Sequence, residues 1–312
     1  MEFTWFPGHM RKALRRIEAD ALLVDLVLLV LDARAPATSR NATLERTLLR
    51  RGKRLLFVLS KADMAAPAVT QAWVRHLQGE GQDAVAVSGG TGAGRAVLLQ
   101  TLRARHKALL DVARRRGIQH ATLRCMVVGV PNVGKSTLIN KLAGSARAKA
   151  GKRPGITRGP QWVLVADGIE LLDTPGVMLP GRLGPESLLS LAVTGTIKEE
   201  VLPLSDLAPR LTELIRARGF DSHAFADRPP PPEGATWYEW LQALCRARGF
   251  LLPGGELDER RAILFLLKAL REGRWGPLSL ERPDIDTAGS SPRAAKRRPD
   301  ARASWPGASR RR

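Results

Sequence analysis

The chain has 312 residues, 50 Lys and Arg against 30 Asp and Glu, and a formal charge of +20, a balance that favours a polyanionic partner, RNA being the natural candidate. Its longest apolar run, Leu26 to Leu31, falls far short of the ~20 residues that span a bilayer, and the first residues lack the apolar core of a signal peptide, so a cytoplasmic location is expected. Cys125 and Cys245 lie in an apolar strand-like run and a helix-like run, where buried free thiols are expected in place of a disulfide or a metal site.

In chain order, Met10, Ala13, Leu14, Ile17 and Ala21 recur at helical spacing with Arg11, Lys12, Arg15 and Arg16 between them, which predicts an amphipathic helix after Pro7 and Gly8. Three short, branched, apolar runs follow: "LVLLVLDAR" from Leu26, "RLLFVLSKAD" from Arg54 and "AVAVSGG" from Ala84. Each ends in a polar or Gly-rich turn, as buried parallel strands do. Helices are expected over Ala68 to Gln78 and Arg95 to Arg116. "LRCMVVGVPNVGKSTLINKL" reads as strand, tight loop and helix, and "QWVLVADG" and "IELLDTPG" as two more strands joined at Asp167 and Gly168 by a hairpin turn. Alternating strands and helices imply a doubly wound, mostly parallel sheet with one antiparallel edge pair.

Past about Gly181 the pattern turns to helices only, in "APRLTELIRARGF", "TWYEWLQALCRARGF" and "LDERRAILFLLKALREGRWG", each with an apolar stripe. "DRPPPPEG" reads as an extended hinge within that helical part. The expected organisation is therefore a sheet domain over 1–180, a small helical domain over 181–287 and a disordered basic tail over 288–312. In the tail, eight Lys or Arg face only Asp300 after Ser291.

"GVPNVGKS" supplies a phosphate loop: Gly129 and Gly134 free backbone N–H groups for phosphate oxygens, Lys135 reaches the β- and γ-phosphates, and Ser136 holds Mg²⁺. In "DTPG", Asp173 holds the metal through water and Gly176 offers its N–H to the γ-phosphate. Thr157, in the irregular segment "PGITRG", fits a switch loop that contacts magnesium. In "SKAD", Asp63 accepts from guanine N1–H and the exocyclic amine, while the stem of Lys61 covers the base. Ser88 and Gly89, in "VSGGTGAG", pass close to the base edge. The nucleotide set is thus Ser60, Lys61, Ala62, Asp63, Val87, Ser88, Gly89, Asn132, Val133, Gly134, Lys135, Ser136, Thr137 and Gly176. The metal set is Ser136, Thr157 and Asp173, with Lys135 and Thr157 as catalytic candidates.

These motifs stand in rotated order, the guanine reader before the phosphate loop. A parallel sheet tolerates this, because its strands need only keep their spatial neighbours. With "WFPGHMRKA", "DARAP", "SKAD", "GVPNVGKSTLIN", "PGITRG", "DTPG" and "RRAILFLLKALREGRWG", the chain resembles the circularly permuted GTPases, and most closely the bacterial ribosome biogenesis GTPase A (YlqF) family. The resemblance covers nearly everything before the basic tail.

It implies a circularly permuted P-loop GTPase domain followed by a small all-α domain. The implied activity is GTP hydrolysis stimulated by the assembling large ribosomal subunit during its late maturation, with rRNA contacted by basic surfaces and the helical domain. It also implies K⁺ held through Asn132, and a water-positioning role for His9 once the ribosome orders its segment. A monomer is expected off the ribosome. Most family members carry Asn where this chain has Ser60, which implies that one side-chain contact near the base is shortened or lost. Val177, after "DTPG", is usual in the family and cannot orient water as a glutamine would, so slow hydrolysis is expected in the free protein. Two alternatives stay open: a GTP-dependent RNA-binding placement factor with negligible turnover, and a permuted GTPase serving another ribosome assembly step.

Overall fold

The computed structural model describes residues 3–4, 8–150, 162–177, 182–226 and 228–283, with backbone alone at 3–4, 8–11, 145–150 and 182. The elements begin with β1 (Phe3–Thr4), α1 (Gly8–Asp20), β2 (Leu26–Asp32), α2 (Pro36–Ser39), α3 (Ala42–Arg50), β3 (Arg54–Ser60), α4 (Pro67–Gly79) and β4 (Asp83–Ala86). They continue with α5 (Arg95–Arg114), β5 (Leu123–Gly129), α6 (Lys135–Ala150), β6 (Trp162–Ala166), β7 (Ile169–Asp173) and β8 (Arg182–Leu183). Five further helices follow: α7 (Pro185–Thr194), α8 (Leu204–Ala217), α9 (Asp221–Phe225), α10 (Trp237–Arg248) and α11 (Glu259–Arg271). Contacts divide the described residues into two compact units, 8–177 with 281–283, and 3–4 with 182–280.

In the first unit six strands form one sheet in the order β4-β3-β2-β5-β7-β6. All pairs are parallel except β6 with β7. That exception is the hairpin the sequence predicts, closed at Gly168, whose φ of 71° suits glycine. Residues of both parities along the strands are buried. Val27, Leu29, Leu31, Leu55, Phe57 and Leu59 share one cluster with Ile17, Leu48, Trp73 and Leu77 of the helices on that side. Leu28, Val30, Leu56, Val58, Cys125 and Val127 are equally enclosed, and α5 and α6 contact β5. A sheet covered on both faces is why these strands read as unbroken apolar runs.

The second unit corrects one expectation, since its residues are not helical throughout. β8 pairs antiparallel with β1, Phe3 opposite Leu183 and Thr4 opposite Arg182, and Leu251 bridges Leu257. Two-residue strands carry no periodicity to read. The segment also holds α7, buried without interruption from Leu188 to Thr194, so it lacks the one-sided stripe that marks a surface helix. α10 begins at a full capping box, Thr236 and Glu239 each satisfying the other's backbone N–H. Residues 228–235 hold no helix or strand, and the Arg216 guanidinium ties their end by donating to the carbonyls of Ala235 and Glu233.

After α11 the chain re-enters the first unit at Glu281. The Glu281 carboxylate is buried and accepts from the N–H groups of Ala37 (2.6 Å) and Thr38 (3.1 Å) at the start of α2 and from the Thr38 hydroxyl. Its carbonyl accepts from Trp73 Nε1 at 3.3 Å. The predicted basic tail lies outside the described residues. Among the described residues no helix is long and apolar enough to cross a membrane, and both cysteines are free and buried.

Candidate nucleotide site

Because β2, β3, β4, β5 and β7 run parallel, their carboxyl ends share one edge of the sheet. The loops "SKAD", "VSGG", "GVPNVGKS" and "DTPG" follow β3, β4, β5 and β7 there. Chain order runs outward from β2 to β4 on one side and from β5 to β7 on the other. The seam between β2 and β5 is therefore the topological switch point, where open α/β sheets bind ligands.

On one side of the seam, β3 stops at Ser60 and Lys61 adopts a left-handed φ of 55°, turning the chain into a 3-10 turn at Ala62–Met64. The Ala62 N–H donates to the Val87 carbonyl at 3.2 Å, which joins this loop to the one after β4. There the Ser88 N–H donates to the Ala93 carbonyl, and the Ser88 hydroxyl accepts from the Thr91 N–H, both at 2.9 Å. A Cβ on Gly90 would come within 2.7 Å of Asp63 Oδ2, so the bare glycine leaves room for the exposed carboxylate. These residues enclose a cavity of about 230 Å³ lined by Ser60, Lys61, Asp63, Val87, Ser88, Gly89, Gly134 and Thr137. Met64, Arg95, Leu138 and Lys141 also line it.

Across the seam, the phosphate loop turns through Asn132, φ 57°, and Gly134, φ 102°, and α6 starts at Lys135, so the helix N-terminus faces the loop's concavity. A wider cavity of about 590 Å³ is lined by Arg16, Pro131, Asn132, Lys135, Ser136, Asp173, Thr174, Pro175 and Gly176. The Lys135 ammonium donates to the carbonyls of Gly129 (3.2 Å) and Val130 (3.0 Å). Burial pushes its pKa down to about 8, against the pull of Asp173, which is the state of a cation short of anionic company. The Ser136 hydroxyl donates to Asp173 Oδ2 at 2.9 Å. This hydroxyl and carboxylate, brought together from α6 and β7, form a hard oxygen donor pair that suits Mg²⁺. Asn132, exposed on the same cavity, offers an amide oxygen of the kind a hard monovalent cation takes. A Cβ on Gly176 would lie 2.7 Å from Pro131 Cα and 3.1 Å from Lys135 Nζ, so only glycine fits that close approach.

The cavities meet along consecutive residues, Gly134 and Thr137 lining the narrower and Lys135 and Ser136 the wider. Ser60 ties them together. Its Oγ lies 2.9 Å from the Leu31 carbonyl and 2.5 Å from that of Val133, so the short side chain reaches the phosphate loop directly. Val177 is 1 % exposed in the core and donates its N–H to the Gly129 carbonyl, pointing its apolar side chain away from any water in the site. The His9 side chain and all of Thr157 lie outside the described residues.

Two groups of residues were given no chemical role from the sequence, although "DARAP" contains the second. Arg16, Arg95 and Lys141 reach the cavities from helices, where their spacing reads only as polar face. Asp32 and Arg34 form a buried fork, Arg34 Nε to Oδ1 and an Arg34 terminal nitrogen to Oδ2, both at 2.9 Å. Asp32 also sits 3.0 Å from the Lys61 ammonium. The available signal was a carboxylate ending an apolar strand at the same edge as the other loops.

Residues 124–207 match the family model described as a 50S ribosome-binding GTPase. A ribosome biogenesis GTPase A of Bacillus pumilus is 36 % identical over 288 residues, covering 91 % of this chain and 100 % of that protein. Its Thermotoga maritima counterpart is 30 % identical, covering 90 % and 95 %. Among solved structures, GNP-bound YlqF from T. maritima superposes with a TM-score of 0.62 at 27 % identity, covering 88 % of this chain and 99 % of that one. The GDP-bound form gives 0.60. Similarity at that level over nine-tenths of the chain, with a permuted sheet whose switch point gathers two cavities, makes the chain a member of the ribosome biogenesis GTPase A family.

Proposed function

We propose that this GTPase acts late in assembly of the large ribosomal subunit, binds pre-ribosomal particles in a nucleotide-dependent way and hydrolyses GTP on them. Mg²⁺ is its resident metal, K⁺ assists, and the protein works in the cytoplasm as a monomer that joins the particle through rRNA. The observation that carries the reading is the convergence of Lys135, Ser136, Asp173 and Gly176 on one cavity, joined at Gly134 to the cavity faced by Asp63.

Asp63 takes the guanine N1–H and amine, Ser88 and Gly89 flank the base edge, and the Lys61 stem covers its face. The Lys135 ammonium and the α6 N-terminus hold the phosphates, and the Gly176 N–H meets the γ-phosphate. Ser136, Asp173 and Thr157 hold Mg²⁺, which neutralises charge on the transferring phosphate; Asn132 holds K⁺. With Val177 packed in the core, no side chain at that position orients the attacking water. His9 takes over this task on the particle.

GTP turnover measured alone, with large-subunit precursors and with small-subunit precursors tests the proposal. Stimulation by orders of magnitude with the large-subunit particle alone is the expected result. Binding without stimulation would make the protein a placement factor, and stimulation by the small-subunit particle would move it to another assembly step. Cosedimentation under GDP, GTP and a nonhydrolysable analogue checks the nucleotide dependence.

A further inference from the structure

Asp32 and Arg34 are each 1 % exposed at the side chain, and neither lines a nucleotide cavity. Burying two charges is costly unless each is paired and hydrogen-bonded, and here the pairing is thorough. The Arg34 fork takes both carboxylate oxygens, and the Arg34 backbone N–H also donates to Oδ1 at 3.1 Å. The Asp32 N–H donates to the Ser39 hydroxyl at 3.0 Å, and that hydroxyl donates to the Ala35 carbonyl at 2.7 Å. Burial alone would raise the Asp32 pKa, yet Arg34 and then Lys61 hold it below the usual carboxylate range. One oxygen of this immobile carboxylate is turned to the Lys61 ammonium at 3.0 Å.

Lysine is among the side chains that lose most rotamer freedom when fixed. A lysine whose stem must lie along a base would ordinarily be ordered by the ligand, at the expense of affinity. Here its far end is tied down already, by a group outside the cavity. We propose that Asp32, itself locked by Arg34, is a positioning residue for guanine nucleotide binding: it anchors the Lys61 ammonium and so pre-orders the lysine stem over the base. This rests on the proposed base-covering role of Lys61. Glu281 extends the support, because its carboxylate holds the first N–H groups of α2, the helix that ends in Ser39.

The test is a double-mutant cycle on the full chain, read as GDP affinity: Asp32→Asn, Lys61→Met and the pair. Asp32→Asn should weaken GDP about tenfold, the scale of coupling between directly paired groups, and should cost nothing further in the Lys61→Met background. Discrimination of GDP over IDP should survive in all three variants, because Asp63 reads the exocyclic amine and is untouched. An equal loss from Asp32→Asn in both backgrounds would overturn the proposal while leaving the base-reading assignment standing. If Asp32→Asn fails to fold, Lys61→Met, which keeps the apolar stem and loses the anchor, is compared with Lys61→Ala. Equal losses support the anchor, and GDP binding by Lys61→Met at wild-type strength refutes it. A wild-type chain that does not bind GDP would sink the underlying site assignment and the anchor with it.

Discussion

Ser60 offers the most direct test of how the two halves of the site are joined. Ser60→Ala deletes one buried oxygen, 5 % exposed as a residue, that sits between the carbonyls of Leu31 and Val133. A hydroxyl carries one proton, so one of those bonds is made at a time, and its loss leaves a buried carbonyl partly unsatisfied, costing about 1–3 kcal/mol. The removed volume is too small to add a large cavity term. Because the bond crosses the β2–β5 seam that the proposed nucleotide site also spans, the loss divides between stability and binding. About 1 kcal/mol on the binding side is roughly a fivefold rise in the GDP Kd. A further ~1 kcal/mol on the stability side should shift the urea midpoint down by about 0.3–1 M, given a slope of about 1–3 kcal/mol/M. Titration calorimetry with GDP measures the binding share. A variant that unfolds and binds as the parent does would show that the seam is held by the strand ladder alone, and the bridging role of Ser60 would be wrong.

Asp63→Asn should relax the preference for guanine, since the amide presents a donor to N1–H; competition of GTP against ATP or XTP for the site reads this, and unchanged selection of GTP would refute the assignment. Arg16→Ala removes a guanidinium from the phosphate cavity and should weaken GTP or slow its hydrolysis by about tenfold, with Arg16→Lys recovering part of it. Lys135, with its pKa pushed down to about 8 in the free protein, is an ammonium below that pH and progressively neutral above it. Phosphate binding favours the ammonium, so GDP affinity should be flat from pH 7 to about 8 and decline above it, with proton uptake measurable by calorimetry in two buffers. Glu281→Ala strips α2 of its buried carboxylate and should lower stability by about 1.5–3 kcal/mol, the range for hydrogen bonds to a charged group.

The sheet edge that carries the motif loops was legible because its signals are local. An apolar run ending in Ser60, Lys61 and Asp63, or a strand ending at Gly129 before Lys135, places its own loop. The hairpin at Gly168 was local too. What stayed hidden depends on partners far apart in the chain: Lys61 with Asp32, 29 residues earlier; Glu281 with Thr38, 243 residues earlier; and Phe3 with Leu183. No periodicity encodes such pairs. Ser60 with Val133, 73 residues later, belongs with these hidden pairs.

The sheet order β4-β3-β2-β5-β7-β6 has a consequence for how the molecule is made. Reading from the amino terminus, β2, β3 and β4 complete one half of the six-stranded sheet, the loops after β3 and β4 included, before β5 emerges from the synthesising ribosome. Until then one edge of β2 has no neighbour in that sheet. The late half docks along a single strand pair, and in the proposed site the nucleotide would lie across the join as a clasp. A backbone cut between Arg114 and Leu123, the ends of α5 and β5, would therefore yield two fragments whose reunion GDP itself should promote.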